Sequence, residues 1–256
     1  MKREHELSKD IRREIIIAII LMILAVCTFI YPHIQHRLFI VRAHNVVTEF
    51  ETRVEAYRLA HQQNMINLNR DDVALEEDTR FWLYNVNSWL AFMNHMLYLE
   101  NQENLVDPFM YNHPCFNLQQ FGLDSDIVGV IYIPAIELNM PIYLGTSMQN
   151  LHNGAAHLLH SSFPVGGNNT NAVIAGHRNT THARVFRDIE QLEIGDEIQI
   201  TNFFRTMMYE VVEIKTANPY DVDALAIQSG RDLVTLVTTA HRRGNGRYVV
   251  VAERVV

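Results

Sequence analysis

Residues 15–31 read IIIAIILMILAVCTFIY, and this uncharged run restricts the chain more than any other stretch. About 17 apolar residues is the short end of what crosses a bilayer as a helix. No polar face interrupts the run, which sets it apart from the amphipathic helix of a soluble core. A cleaved signal peptide would have a shorter apolar stretch and a small-residue cleavage site. Here Pro32, His33, Ile34 and Gln35 follow instead. The expectation is therefore a single uncleaved membrane anchor. Lys2, Arg3, Lys9, Arg12 and Arg13 precede it, while only Arg37 and Arg42 follow closely. Basic residues stay on the cytoplasmic side, so residues 1–14 are expected inside the cell and the remainder outside.

What remains is globular in composition. The chain is 48% hydrophobic and 20% charged, which suits a packed domain rather than a disordered tract. Its formal net charge is -8, and no basic stripe runs along it, so nucleic acid is excluded as a partner. Cys27 lies within the anchor and Cys115 far from it, so no disulfide framework is expected. Extracellular proteins of Gram-positive bacteria commonly use cysteine this sparingly.

Two textures follow the anchor. Residues 43–99 have helical spacing: Val46, Val47, Phe50, Val54 and Leu59 form one stripe, and Trp82, Trp89, Leu90, Phe92 and Met93 belong to a second. Arg70-Asp71-Asp72 marks the expected break of a helical hairpin. A proline- and asparagine-rich loop comes next, holding Asp107-Pro108-Phe109 and Asn112-His113-Pro114-Cys115. From Ile127 onward the pattern is strands. Residues 127–134, 141–144, 172–176, 197–200, 207–215, 233–238 and 247–252 are short, rich in Val, Ile, Thr and Tyr, and divided by turn signals such as Gly195-Asp196. Only short helical pieces intervene, for example at 184–192. Seven to eight short strands predict a mainly β fold, a closed barrel.

The chemistry-bearing residues are few. His152, His157 and His160 fall in a helix- or loop-like stretch, with no carboxylate or cysteine beside them to complete a metal site. His177 closes the apolar strand at 172–176, directly after Gly176, and a side chain there projects from a barrel rim. Arg247 opens the last strand, where its guanidinium can fork onto a carbonyl or a developing oxyanion. Taken singly, each residue fits a structural role better than a functional one.

Their order is more specific. Gly176-His177-Arg178, then Thr235-Leu236-Val237-Thr238, then Arg247 resembles the sortase pattern. Gly129 to Pro134, Met140 to Ser147 and Ala155 to Gly167 resemble that family's opening strands. The resemblance covers about residues 127–256. Asp107-Pro108-Phe109, placed ahead of the barrel, is similar to the lid motif of class C, pilin-polymerising sortases. The resemblance implies the following division: anchor 15–31, helical region 32–104, lid loop 105–120 and catalytic barrel 121–256. It also implies that Asp107 approaches Arg247 and that Phe109 covers the nucleophile. Class C sortases often carry a second, C-terminal membrane helix; this sequence ends at Val256, just after the last expected strand.

Sortases are transpeptidases needing neither metal nor cofactor. By resemblance, a cysteine thiolate attacks the threonyl carbonyl of an LPxTG-like signal, histidine moves the proton and arginine steadies the carbonyl. A pilin lysine then resolves the thioacyl enzyme. The implied partners are pilins carrying the signal and an acceptor lysine, at the cell wall. His177 and Arg247 match two of the roles. The family's Thr-Leu-x-Thr-Cys reads Thr235-Leu236-Val237-Thr238-Thr239 here, so Thr239 stands at the nucleophile, or Ala240 if the register slips by one. Neither is a thiol. Three readings stay open: a sortase altered at one position, a naturally degenerate binder of pilins or sorting signals, and a weak threonine enzyme. Cys115 is a remote candidate for rescue.

Overall fold

The computed structural model describes residues 2–67, 77–111, 118, 126–178, 184–240 and 246–255. Two helices, α1 (Lys2–Asn67) and α2 (Glu77–Leu99), precede eight strands. These are β1 (Ile127–Ile133), β2 (Leu138–Leu144), β3 (Ala155–His157), β4 (Thr170–Ala175), β5 (Glu197–Thr201), β6 (Thr206–Ala217), β7 (Asp232–Thr239) and β8 (Arg247–Arg254). A short helix, α3 (Met148–Asn153), lies between β2 and β3. The strands close into a barrel in the order β1-β2-β3-β4-β7-β8-β6-β5. β2 pairs with β3 and β4 with β7 in parallel; the other pairs are antiparallel.

The closed barrel expected from the strand pattern is present. The strand missed in the sequence is β3, whose three residues are too few to show a period of two. His157 therefore sits in a strand, His152 in α3 and His160 in a turn. β2 also starts earlier than expected, at Leu138. Pro141, which has no N–H to donate, is tolerated because β3 pairs only with residues 142–144. The helical piece expected at 184–192 is a single 3-10 turn, Ile189–Gln191.

Strand alternation builds the core in two layers. Val234 and Leu236 of β7 point into the barrel with Ile131, Ile174 and Val250. Leu233 and Val237 point outward, yet they are buried too, packed with Val173, Val249, Val251, Leu105 and Leu225. The outer face of β7 and β8 is thus roofed by the chain around Leu105 and Leu225, so β7 is buried on both faces along 233–238.

α1 runs through Pro32 without ending. The missing hydrogen bond and ring clash cost about 3 kcal/mol, small against the bonds of the rest of a 66-residue helix. Part of α1, Arg13–Ala56, is long and apolar enough to cross a membrane, and none of its most apolar window is buried against the protein. Further along, Phe39 and Ala43 join the barrel core. Val47, Phe50 and Val54 pack with Val86 and Leu90 of α2 and with Phe163 and Phe203. The helical pair therefore leans on the barrel. The expected break at Arg70-Asp71-Asp72 and residues 112–117 and 119–120 of the expected lid loop, Cys115 among them, lie outside the described residues.

Candidate active site

The rim where β4, β7 and β8 end is set by register. Ala175 pairs with Val237 in the parallel ladder. Gly176 N–H donates to Val237 O at 3.1 Å, and Thr238 Oγ1 donates to Gly176 O at 2.8 Å. Two residues beyond the Ala175–Val237 pair come His177, past the end of β4, and Thr239, the last residue of β7. Across the antiparallel ladder Thr239 pairs with Arg247, and Ala240 N–H donates to Gly246 O at 2.9 Å to close the pair.

Parity then decides which way these residues face. Val237 and Val249 belong to the outer cluster, so Thr239 and Arg247, two residues away on their strands, share that outer face. His177 lies past the end of β4, and its ring is brought to the same rim by Phe109, which also lies over Arg247. Ala240 has the opposite parity and lies past the end of β7. Register and parity thus bring Thr239 and Arg247 to one face, with His177 following the last β4–β7 pair at the same rim.

Gly176 is needed for the approach to His177. A Cβ on Gly176 would lie 2.7 Å from the ring of Phe186, which is fully buried. Phe186 N–H donates to His177 O at 3.0 Å. Strand, glycine and phenylalanine together hold the histidine backbone against the barrel.

The segment before the barrel crosses this rim. Leu105 is buried in the outer cluster. Arg247 donates to Asp107 twice, from Nε to Oδ1 at 2.6 Å and from Nη2 to Oδ2 at 2.5 Å. The side chains are only 12% and 8% exposed, so this is a desolvated, bidentate pair. Phe109 sits in the 3-10 turn Pro108–Met110. Its ring lies 4.8 Å from Arg247 Cζ and its centroid 5.8 Å from that of His177. Gln102 anchors the segment's start: its Nε2 donates to His160 O at 3.2 Å, and its Oε1 accepts from Ile227 N–H at 2.6 Å. Sequence reasoning passed over Gln102, whose role needs two loops that only the fold brings together.

His152 was also unforeseen as a neighbour of His177; their ring centroids are 5.6 Å apart. Burial, reinforced by the charge of His152, pushes His177 down to about 4. At neutral pH His177 is thus an uncharged imidazole, able to accept a proton. His157 is different. It is wholly buried, donates from Nε2 to Ser162 O at 3.0 Å, lies 3.3 Å from Ser161 Oγ through the same nitrogen, and stacks on Phe163. Burial lowers it to about 4 as well, and its role is structural. Among the described residues no group of His, Cys, Asp and Glu is arranged to hold a metal.

Comparison with known proteins agrees with this architecture. The sortase domain family matches residues 131–255. Sortase D of Bacillus subtilis is 30% identical over 131 residues, which is 50% of this chain and 63% of that protein, so the match spans under two thirds of its length. The sortase C structure of Streptococcus pneumoniae superposes with a TM-score of 0.65 at 27% identity, covering 83% of this chain and 97% of that one. Sortase C-1 of Actinomyces oris gives 0.55 at 31% identity, covering 66% and 99%. A barrel closed in this order, with these matches along it, places the chain in the sortase family, with class C pilin sortases as its structural neighbours.

Proposed function

We propose that the chain is built as a sortase-type transpeptidase of the pilin-polymerising class and is inactive or strongly impaired because Thr239 occupies the nucleophile position. One observation carries the reading: Thr239 pairs with Arg247 at a barrel rim, Arg247 holds Asp107, and Phe109 lies against both Arg247 and His177. In this reading residues 105–120 are a lid. The sorting signal reaches the rim when Asp107 leaves Arg247, and the freed guanidinium then holds the substrate's threonyl carbonyl.

The reaction at that rim attacks the carbonyl, breaks the peptide bond after threonine and transfers the acyl group to a pilin lysine. A cysteine does this well, being partly thiolate near neutral pH and intrinsically nucleophilic. A threonine hydroxyl must lose its proton to a base as it attacks. His177, neutral and uncharged, is the available base. Losing the nucleophile typically costs several orders of magnitude in rate. No cofactor enters. The anchor in α1 holds the barrel at the outer face of the cell membrane, beside pilins carrying the signal.

A second reading follows from the same substitution. With the rest of the rim intact, the chain binds sorting signals or pilins without cleaving them. Thr239→Cys separates the two. The transpeptidase reading expects the variant to cleave an LPxTG-like peptide and to join it to an amine. If the variant binds the peptide, loses that binding with Arg247→Ala and never cleaves, the chain is a binding module. If no peptide binds either form, both readings are wrong.

A further inference from the structure

Two imidazoles meet where sortase chemistry uses one. His152 lies in the last turn of α3, and its ring stands 5.6 Å from that of His177. β3 and β4 separate them in sequence, so the pairing is a product of the fold. We propose that His152 is a positioning residue that sets the protonation state of His177 and, through it, the ionisation of the nucleophile at position 239. This rests on the reading that Thr239 stands at that position.

The charges around His177 single out His152. From the segment before the barrel comes Asp107, and from β8 comes Arg247; they are paired with each other. Just past His177, Arg178 is paired with Glu190. Each of those pairs is neutral in sum. His152, from α3, brings a second imidazole directly against His177. It also forms part of the wall of a cavity of about 580 Å³ between α1 and the barrel, with Gln35, Arg42, Tyr143 and Asn153. Phe109 packs against His177 from the segment before the barrel. Residues 179–183 and 241–245, which include His182, His241, Arg242 and Arg243, lie outside the described residues.

A cation on one ring raises the cost of a cation on the other at this separation. Burial of His177 acts in the same direction. A thiolate–imidazolium pair needs the cation on His177; a neutral imidazole acting as base for a hydroxyl does not. His152 and Thr239 therefore shift the rim the same way, from ion-pair chemistry toward neutral general-base chemistry.

The test uses the full chain in detergent with Asp107→Ala and Thr239→Cys, so that the lid does not limit access. Residue 152 is kept as His or changed by His152→Gln or His152→Glu. Iodoacetamide alkylation at residue 239 is followed from about pH 5 to about pH 9, with peptide mapping to separate it from Cys27 and Cys115. The expected order of thiol midpoints is Glu lowest, Gln intermediate, His highest. Glu is expected to lower the midpoint by about one pH unit or more, a rise of roughly tenfold in rate at about pH 6. A purely structural role would make Gln and Glu behave alike, so coincident midpoints overturn the inference. Where a thermal melt shows the Glu variant unfolded, His against Gln decides, and a Gln midpoint not below that of His overturns it. Midpoints in the expected order, with no LPxTG-like peptide cleaved, support the inference and overturn the transpeptidase reading. Coincident midpoints with cleavage do the reverse.

Discussion

Asp107 and Arg247, 140 residues apart in sequence, are joined by two hydrogen bonds of 2.6 and 2.5 Å across the rim where β7 meets β8. Phe109, two residues after Asp107, lies against Arg247 and against His177. Asp107→Ala removes the carboxylate and leaves the guanidinium nearly buried and without that partner, which favours lifting of the segment. In a Thr239→Cys background, alkylation at residue 239 at neutral pH is expected to speed up by tenfold or more, on the order of the 1.4 kcal/mol or more that such a pair contributes. An unchanged rate would mean that the segment does not gate the rim.

Gln102 predicts a local effect at a distance. Its side chain satisfies Ile227 N–H and holds His160 O. Gln102→Ala leaves that amide without its acceptor, at a cost of about 1–3 kcal/mol where buried. Hydrogen exchange of the Ile227 amide is expected to accelerate roughly tenfold or more. Exchange in β1 and β5, on the opposite side of the barrel, should not change.

Gly176→Ala tests the close approach behind His177. The added methyl would lie 2.7 Å from Phe186, which has no space to yield. Overpacking of this kind costs about 1–3 kcal/mol. The denaturant midpoint is expected to fall, and Phe186→Leu in the same chain is expected to recover part of the loss. A variant as stable as the parent would show that the ring can move aside.

Acid is expected to destabilise the fold through His157. Its folded value, about 4, lies below the 6.5 of an unperturbed histidine. Between those values the unfolded chain binds more protons, so stability rises with pH. The contribution is complete above about pH 6.5 and is lost as pH falls toward 4, by about 3 kcal/mol in all. Urea unfolding at several pH values measures the slope. His157→Gln is expected to be less stable at neutral pH and to show a flatter profile. His177, lowered in the same direction, adds a smaller contribution because it is only partly enclosed.

The two kinds of information divide along physical lines. Sequence alone supplied whatever depends on neighbours along the chain. The uncharged run at 15–31 marks the candidate span because helix length and bilayer thickness are both local quantities. The Val- and Ile-rich segments from Ile127 mark the barrel because side-chain period reports strand burial. Gly176-His177-Arg178, Thr235-Leu236-Val237-Thr238-Thr239 and Arg247 stand out as separate motifs, and a threonine rather than a thiol at 239 is plain in one letter. Local pattern was too weak for β3, three residues long, and for Pro32, where tertiary and helical continuity outweighs one lost hydrogen bond. Only the tertiary structure decided which motifs meet. The β7–β8 register pairs Thr239 with Arg247, and the β4–β7 register ends just before His177 at the same rim. Barrel closure then sets Asp107, Phe109, Gln102 and His152 around them. Those contacts span up to 140 residues, and no short-range pattern encodes a distance fixed by strand pairing around a closed barrel.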